Sequence, residues 1–341
     1  MEKIKVGVAG TGHLGNFHTK MFAQISAVEL VGVYDVDKAK AEKVASEHGT
    51  KAFGDFEELL AGVQAVSIAT TTLTHFDVAR RALENGVHAF IEKPITETIE
   101  QAKTLVALAD ARKLALQVGH IERFNPAILA LEQYKLRPLF IESHRLAQFN
   151  PRGSDVAVVL DLMIHDIDLI LSLVRSPVTR IDANGVAVVS GSEDIANARL
   201  QFENGCVANV TASRISQNKM RKMRLFQNDA YISIDFSQGL SEVFRLVDEG
   251  DPQAKPTMML GKIDQGERKR LIVYEQPEVK EVNSLKYELE LFIKSVVEGT
   301  PPPVSGRDGL QALEVAQEIM RSISQNLAHL SGLNQKTESK A

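Results

Sequence analysis

Residues 4–15 read Ile-Lys-Val-Gly-Val-Ala-Gly-Thr-Gly-His-Leu-Gly, an apolar run that ends in a glycine-rich loop. Apolar side chains then recur at helical spacing, at Leu14, Phe17, Met21 and Ile25. A strand, a glycine turn and a helix in this order form the setting in which GxGxxG binds a dinucleotide, because the helix N-terminus offers free N–H groups to the pyrophosphate. The stretch therefore predicts a parallel sheet that binds a dinucleotide.

The glycines have separate expected tasks. Gly10 permits a tight turn, Gly12 lets the pyrophosphate approach the backbone, and Gly15 lets the helix pack on the strand. A second predicted strand, Val28 to Tyr34, leads into Asp35, where a carboxylate can bind the ribose hydroxyls and would repel a 2′-phosphate. The expected cofactor is therefore NAD. The predicted contacts here are Gly10, Thr11, Gly12, His13, Leu14, Gly15 and Asp35.

Strands and helices continue to alternate, as is typical of a doubly wound parallel sheet. The predicted helices are 37–48, closed by Gly49, then 56–61, a helix from Thr74 as N-cap to Asn85, and 97–112; the predicted strands are 65–69, 88–91 and 114–118. Polar loops follow two strands, where such sheets bind ligands. The expected cofactor contacts in these loops are Thr70, Thr72, His75, Glu92 and Lys93.

Glu92-Lys93-Pro94 occupies one of these strand ends. Proline restricts the preceding residue to extended backbone, so the position of Lys93 is fixed although its long side chain is not. A lysine held there can contact a substrate hydroxyl or pair with a carboxylate, and the tripeptide alone leaves both open.

Gly119 to Pro126 form a polar junction, in which Asn125-Pro126 start a helix with an N-cap and an N1 proline. A substrate site or a domain hinge would account for the polar groups before it. The predicted substrate contacts are His120, Glu122, Arg123, Asn125, Arg152, Asp161 and His165.

Beyond Pro138 the pattern changes to strands without intervening helices, which predicts an α+β domain with an open, mostly antiparallel sheet and helices on one face. The predicted strands are 139–149, 178–189, 196–203, 206–215, 222–227, 230–236, 242–247 and 271–274, with a surface loop at 248–270 and helices at 284–298 and 307–328. The first expected domain, 1–120, binds NAD, and helix 307–328 packs back onto it. The second, 121–330, binds substrate and forms the oligomer. Residues 331–341 form a polar tail, of which 335–341 are expected to be mobile.

One predicted helix in this domain, Val156 to Val174, is apolar on almost every side yet carries Asp161, His165 and Asp168. At about 3.6 residues per turn these fall within about 40° of one another and form one polar stripe. A carboxylate beside an imidazole suits proton transfer from an alcohol. One alternative is a core histidine whose ring is satisfied by buried partners. Another is a zinc site, but there is no HExxH and a third ligand is not evident, so no metal is expected.

The chain length, the net charge and the number of cysteines exclude several classes of protein. The chain has 341 residues, enough for two cores, and a net charge of −5, which argues against nucleic acid or an anionic membrane as partner. One cysteine, Cys206, excludes an internal disulfide framework. No apolar run reaches about 18 residues and no leader precedes the first strand, so we expect a cytoplasmic protein.

Gly10-x-Gly12-x-x-Gly15, Glu92-Lys93-Pro94 and Asp161-x-x-x-His165 together resemble the Gfo/Idh/MocA oxidoreductase family over nearly the whole chain. The resemblance implies a Rossmann domain, a Lys93-Pro94 bond that is commonly cis, and Lys93, Asp161 and His165 as catalytic groups beside the nicotinamide of NAD. It does not decide whether Lys93 or His165 is the base. Thr70-Thr71-Thr72 departs from the family, in which many members have proline at the second position.

Residues 119–127 are similar to the subgroup that oxidises C3 of nucleotide-linked amino sugars such as UDP-N-acetylglucosamine, whose keto product is transaminated for lipid A. Ser213 to Ser216 and the basic residues Lys219, Arg221, Lys222 and Arg224 are compatible with such a substrate or with a solvated strand face. The alternatives are a family dehydrogenase acting on an inositol, a free sugar or a sugar acid, and a nicotinamide-binding sensor without turnover. The resemblance also implies a homodimer or homotetramer formed through the C-terminal sheet.

Overall fold

The computed structural model describes residues 3–150, 156–250, 256–265 and 268–338. The chain divides into two compact units. The first comprises Met1–Phe124 and Asn283–Glu314, and the second comprises Asn125–Val282 and Val315–Ala341. The first unit thus includes residues 283–306, which the sequence pattern assigns to the second domain.

A parallel six-stranded sheet forms the centre of the first unit, with the order β3-β2-β1-β4-β5-β6. The order changes direction between β1 and β4, and the crevice at the carboxyl ends there is where such sheets bind ligands. The predicted doubly wound sheet is confirmed, although the sequence pattern did not predict the short β3. The strands are β1 (Ile4–Ala9), β2 (Val28–Tyr34), β3 (Lys51–Phe53), β4 (Ala65–Ile68), β5 (His88–Glu92) and β6 (Leu116–Gly119).

The helices that connect these strands are α1 (His13–Phe22), α2 (Lys38–His48), α3 (Phe56–Leu60), α4 (Thr72–Glu84) and α5 (Ile99–Arg112). Their ends follow local chemistry: Asp37 accepts the N–H of Lys40 at the start of α2, and Gly49 ends it with a φ of 65°. Another helix, α8 (Ser284–Glu298), contributes Leu289 and Phe292 to a buried cluster with strand and α1 residues.

The buried side of α1 differs from the predicted apolar stripe. Leu14 and Phe17 are 47% and 44% exposed. The residues of α1 that are buried are Gly15, His18, Thr19, Met21 and Phe22. The helix therefore packs a histidine against the sheet and leaves two apolar side chains exposed next to the glycine loop.

The second unit contains a nine-stranded sheet with the order β14-β15-β13-β12-β11-β7-β10-β9-β8. Strands β7 and β10 pair in parallel and the other neighbours pair antiparallel, so the predicted mostly antiparallel sheet is confirmed. The strands are β7 (Phe140–Leu146), β8 (Val178–Val186), β9 (Ile195–Phe202), β10 (Val207–Ser213), β11 (Met220–Gln227), β12 (Ala230–Asp235), β13 (Leu240–Asp248), β14 (Met258–Gln265) and β15 (Arg268–Glu275); the helices are α6 (Pro126–Leu129), α7 (Ile164–Val174) and α9 (Gly306–Glu338), which begins in the first unit.

Three sequence predictions in this unit are wrong. The expected surface loop at 248–270 contains β14, an edge strand. Its residues Met258, Met259 and Leu260 are all exposed, so the strand lacks the alternation that marks a half-buried strand in a sequence. Strand β7 ends at Leu146 rather than at Phe149. Helix α9 continues to Glu338 and so includes part of the predicted tail; residues 339–341 lie outside the described residues.

The helix expected at 156–174 begins with a π-helical stretch, Val159–Met163, that continues into α7. A π turn takes more residues than an α turn. Asp161 lies in the π-helical stretch, so it does not keep the α-helical spacing to His165 and Asp168 that the predicted stripe assumes. Asp168 is fully buried, whereas Asp161 and His165 are partly exposed. A carboxylate that the sequence analysis did not single out, Asp166, is also buried.

An arginine of the sheet neutralises Asp166. Arg145 of β7 donates from Nε and Nη2 to the two carboxylate oxygens, at 2.7 and 3.1 Å. The side chains are 6% and 2% exposed, so both charges are removed from water. This ion pair joins β7 to the helix that carries Asp161 and His165, and it is costly to break because either partner alone would remain as a buried charge.

We predict that Arg145→Ala lowers the free energy of unfolding of this unit by about 3–5 kcal/mol. The control is Arg199→Ala, because Arg199 is exposed on β9 and its side chain donates to Asn209; we expect a change within about 0.5 kcal/mol. Urea denaturation followed by circular dichroism measures both. Equal losses in the two variants would contradict the role of the buried pair.

Candidate functional site

The glycine loop between β1 and α1 has two glycines that the fold requires and one that leaves space. A Cβ on Gly10, whose φ is +88°, would lie 2.6 Å from the carbonyl oxygen of Ala69, and one on Gly15 would lie 1.8 Å from that of Gly10. A Cβ on Gly12 would meet no atom within 4 Å. The open space at Gly12, in front of the N-terminus of α1, fits a pyrophosphate.

Asp35 at the end of β2 is tied to this loop. Its Oδ2 accepts hydrogen bonds from the Thr11 backbone N–H at 2.6 Å and the Thr11 hydroxyl at 3.0 Å. Its Oδ1 accepts the N–H of Asp37 at 2.9 Å. The carboxylate is thus fixed next to the glycine loop, where a ribose hydroxyl can donate to its remaining lone pairs.

Large apolar side chains remain exposed in the segments that follow β1, β2 and β4. Leu14 is 47% exposed, Val36 is 88% exposed and Leu73 is 67% exposed. His13, also exposed, contacts Phe17 edge-on with the ring centroids 4.9 Å apart. Such side chains suit the flat rings of a dinucleotide, which bind in mostly apolar clefts.

The loop after β4 differs from its prediction. Thr71, not Thr74, is the N-cap of α4. The N-cap therefore lies three residues earlier than predicted. The Thr74 hydroxyl donates to the Thr71 carbonyl at 2.9 Å, and its oxygen also lies 2.9 Å from the Thr70 hydroxyl. Thr70 and Thr72 are half-buried at this strand end.

His75 is 1% exposed, and both of its ring nitrogens face protein carbonyls. Nδ1 lies 2.9 Å from the Pro94 oxygen and Nε2 lies 3.2 Å from the Thr70 oxygen. Burial lowers the pKa of His75, although the two carbonyls act in the opposite direction. The side chain therefore joins the loops after β4 and β5.

Glu92 and Lys93 end β5, and the Lys93-Pro94 bond is cis. Glu92 Oε1 lies 2.9 Å from Nε2 of His18, and Glu92 Oε2 accepts the Lys93 N–H at 3.3 Å. Burial alone would raise the pKa of Glu92, but the hydrogen bond and charge of His18 and the charge of Lys93 together lower it. Glu92 is therefore an ionised, hydrogen-bonded carboxylate.

His18 is the residue in this unit that the sequence analysis missed. Its ring is fully buried, and Nδ1 lies 2.7 Å from the hydroxyl of Ser67 on β4. The sequence did contain one signal: His18 lies three residues after Gly15 and so on the same side of α1 as that glycine. A search for apolar periodicity does not find a buried His18, because the side chain is polar.

The junction after β6 places its polar groups differently. His120 and Glu122 are 1% and 5% exposed. Arg123 Nη2 lies 3.3 Å from Asp308 Oδ1 in the first turn of α9. Asn125 caps α6 as predicted, accepting the N–H of Ala127, and donates to the Phe236 carbonyl at 3.3 Å. Arg123 and Asn125 therefore have structural contacts within their own units, and substrate contacts for these four residues stay a prediction.

Asp161 and His165 belong to the second unit, where Arg214 lies next to the aspartate. Arg214 Nη2 is 4.0 Å from Asp161 Oδ2, and the side chains are 5% and 37% exposed. The same Nη2 donates to the Val156 carbonyl. The buried guanidinium thus faces a partly exposed carboxylate, and Arg152, a predicted substrate contact, lies outside the described residues.

The basic residues of β11 are mostly paired across the sheet. Lys222 lies 3.2 Å from Asp235, and Arg224 lies 3.4 Å from Glu142. Burial lowers the pKa of Arg221. Lys222 and Arg224 therefore fit a solvated strand face better than an anion site.

Over the ranges that the structure describes, no group of three or more histidine, cysteine, aspartate or glutamate side chains is placed to hold a metal ion. In the same ranges, no helix is both long and apolar enough to cross a membrane.

We predict that Gly12→Ala folds normally but binds NAD about 10–100-fold more weakly, since losing hydrogen bonds to a charged group costs about 1.5–3 kcal/mol. The matched variant Gly15→Ala should instead lower the melting temperature, because its Cβ meets the Gly10 carbonyl. Calorimetric titration with NAD and thermal unfolding separate the two effects. Unchanged NAD affinity in a folded Gly12→Ala would contradict the assignment of the open space.

Comparisons with known proteins agree with these features. A family model for the NAD-binding Rossmann fold of an oxidoreductase family, GFO/IDH/MocA, matches residues 4–120, and a model for the GFO/IDH/MocA C-terminal domain matches residues 138–239. UDP-N-acetylglucosamine 3-dehydrogenase from Acidithiobacillus ferrooxidans is 38% identical over 94% of this chain and 97% of its own. Its solved structure covers 95% of this chain and 98% of its own with a TM-score of 0.84, at 36% identity.

More distant relatives include scyllo-inositol 2-dehydrogenase from Bacillus subtilis, 30% identical over 63% of this chain and 68% of its own. The solved structure of a levoglucosan dehydrogenase has a TM-score of 0.80 at 19% identity, covering 95% of this chain and 98% of its own, which shows the shared fold. The described geometry, with Asp35 beside an open glycine loop, fits the cofactor that the family model names. The chain therefore belongs to the GFO/IDH/MocA family of oxidoreductases and is an NAD-dependent dehydrogenase.

Proposed function

We propose that this chain oxidises the C3 hydroxyl of the amino sugar in UDP-N-acetylglucosamine. The observation that carries the proposal is the likeness to the Acidithiobacillus enzyme, which extends over nearly the full length of both chains. The likeness to the inositol dehydrogenase of Bacillus subtilis is weaker and covers less of the chain. A secondary sugar hydroxyl is accordingly the favoured substrate group, and a nucleotide-linked sugar is favoured over an inositol.

The proposed chemistry uses Lys93, His165 and Asp161. NAD, when bound, accepts the hydride from the sugar carbon. His165 accepts the proton of the substrate hydroxyl, and Lys93 donates a hydrogen bond to the same oxygen. Asp161 orients the imidazole, and Arg214, at 4.0 Å, restrains that carboxylate. Positioned proton transfer of this kind contributes about 10²–10⁴-fold to a rate.

NADH formation measured with UDP-sugars, inositols, free sugars and sugar acids tests the substrate. We expect the highest kcat/KM with UDP-N-acetylglucosamine. Turnover of an inositol without turnover of UDP-sugars would support the rival dehydrogenase. NAD binding without turnover of any compound would support the sensor.

Lys93→Ala and His165→Ala test the mechanism with the same substrate. Each should lower kcat by about 10²–10⁴-fold and leave NAD affinity nearly unchanged, because neither removes a phosphate or ribose contact. Lys43→Ala on α2 and His144→Ala on β7 are the matched controls and should retain wild-type kcat. Near-normal turnover in both test variants would refute the mechanism.

The reaction has a proposed place in metabolism. A 3-keto sugar is a substrate for a transaminase, so the product would be consumed by an aminotransferase that forms a diamino sugar. We propose that the reaction serves lipid A biosynthesis in the cytoplasm; the similarity of residues 119–127 to the nucleotide-sugar subgroup supports this proposal.

A homodimer formed through the open face of the nine-stranded sheet is also proposed. A row of paired aromatic side chains crosses five strands of that sheet, with neighbouring ring centroids 5.1–5.6 Å apart and every ring half-exposed. The row consists of Phe140, Phe226, Tyr231, Phe244 and Tyr274. A contiguous apolar stripe of this kind favours burial against a second copy.

Tyr231→Asp at the middle of the row should shift the sedimentation coefficient to that of a smaller species, because a buried charge without a partner is costly. Phe149→Asp is the control, since Phe149 is 49% exposed and lies outside the row. Analytical ultracentrifugation gives the answer. A wild-type protein that sediments as a monomer would contradict the proposal directly.

A further inference from the structure

We propose that His18 and His75 are positioning residues that fix the backbone on the two sides of Lys93. The inference rests on the proposed function, in which Lys93 contacts the substrate oxygen. His18 lies on α1 and binds Glu92, the residue before the lysine. His75 lies on α4 and binds Pro94, the residue after it.

His18 holds Glu92 from the cofactor helix. Its Nε2 lies 2.9 Å from Glu92 Oε1, and a carboxylate oxygen can only accept, so Nε2 carries the proton. Its Nδ1 lies 2.7 Å from the Ser67 hydroxyl, which can rotate to donate or accept. The Phe90 ring packs edge-on against the imidazole with the centroids 5.4 Å apart. The ring therefore has one orientation, and that orientation determines where the carboxylate lies.

The neighbouring strand leaves room for the same carboxylate. Glu92 on β5 pairs with Gly119 on β6, and a Cβ on Gly119 would lie 3.0 Å from Glu92 Oε1 and 3.2 Å from Oε2. Oε2 of Glu92 accepts the N–H of Lys93 at 3.3 Å. The slot formed by His18, Ser67 and Gly119 thus fixes the carboxylate, and the carboxylate binds the backbone of the lysine.

His75 holds the other side. Its Nδ1 lies 2.9 Å from the Pro94 carbonyl and its Nε2 lies 3.2 Å from the Thr70 carbonyl, so the ring spans the loops after β4 and β5. His18 is fully buried and His75 is 1% exposed, and every ring nitrogen already faces a protein oxygen. Neither imidazole is therefore available to contact substrate, which makes both positioning groups rather than catalytic ones.

A lysine needs this support because its side chain has four rotatable methylenes and no rigidity of its own. The direction in which it points is set by the backbone, and a displacement of about 1 Å in a reacting group can reduce the rate about 10²-fold. Anchors on both neighbours limit such displacement.

The test compares His18→Leu, His18→Gln, His75→Leu and His75→Gln in the full-length protein with NAD and UDP-N-acetylglucosamine. The leucine variants should lower kcat about 10–100-fold, with KM for the sugar and Kd for NAD within about threefold. Glutamine retains an N–H donor and should recover most of the loss. In His18→Leu the acidic limb of the kcat–pH profile should move to higher pH, because Glu92 loses the hydrogen bond that lowers its pKa.

His88→Leu is the matched control. His88 lies at the opposite end of β5 from Glu92, and its Nδ1 accepts the N–H of Ala115 at 2.9 Å. The variant should lose stability and keep wild-type kcat. If the leucine variants do not fold, Ser67→Ala provides a milder test; it frees the His18 ring without adding bulk and should lower kcat about 3–10-fold.

Lys93→Ala, measured in parallel, distinguishes a failure of the positioning roles of His18 and His75 from a failure of the proposed function. Loss of turnover in Lys93→Ala with wild-type kcat in folded leucine variants, or in Ser67→Ala where those do not fold, overturns the positioning roles and leaves the proposed function intact. Equal losses in the leucine and glutamine variants also overturn the positioning roles. Full turnover in Lys93→Ala overturns the proposed mechanism, and the positioning roles with it.

Discussion

The Glu92 carboxylate is the constraint that connects the two motifs of the first unit. A largely buried carboxylate is tolerated only where donors satisfy it, and here His18 and the Lys93 N–H do so, 2.9 and 3.3 Å away. His18 belongs to the helix that follows the glycine loop, so the segment proposed to bind pyrophosphate is joined by a hydrogen bond to the residue before Lys93.

In the second unit, arginine side chains stabilise the carboxylates. Arg145 neutralises Asp166 under the helix, and Arg214 lies 4.0 Å from Asp161 at its π-helical start. Both arginines are almost fully buried, and a guanidinium offers several donors in a rigid plane. The two arginines thereby restrain Asp161 and Asp166, which leaves His165 on a supported scaffold.

The fold was predictable from the sequence because strand length, glycine turns and apolar periodicity are local signals. The glycine fingerprint, Asp35 and Lys93 were identified for the same reason. His18 and Asp166 were not identified as site or scaffold residues, because their importance depends on partners 74 and 21 residues away in the chain. The π turn before α7 and the edge strand β14 were missed because tertiary contacts override the local pattern there.

We propose that this chain removes hydride from C3 of a UDP-linked amino sugar. Incubation with NAD and UDP-N-acetylglucosamine deuterated at C3 alone follows that hydride. We expect the deuterium to be recovered in the reduced nicotinamide and turnover to slow by a primary isotope effect. Rapid NADH formation with all the deuterium still in the sugar would contradict it.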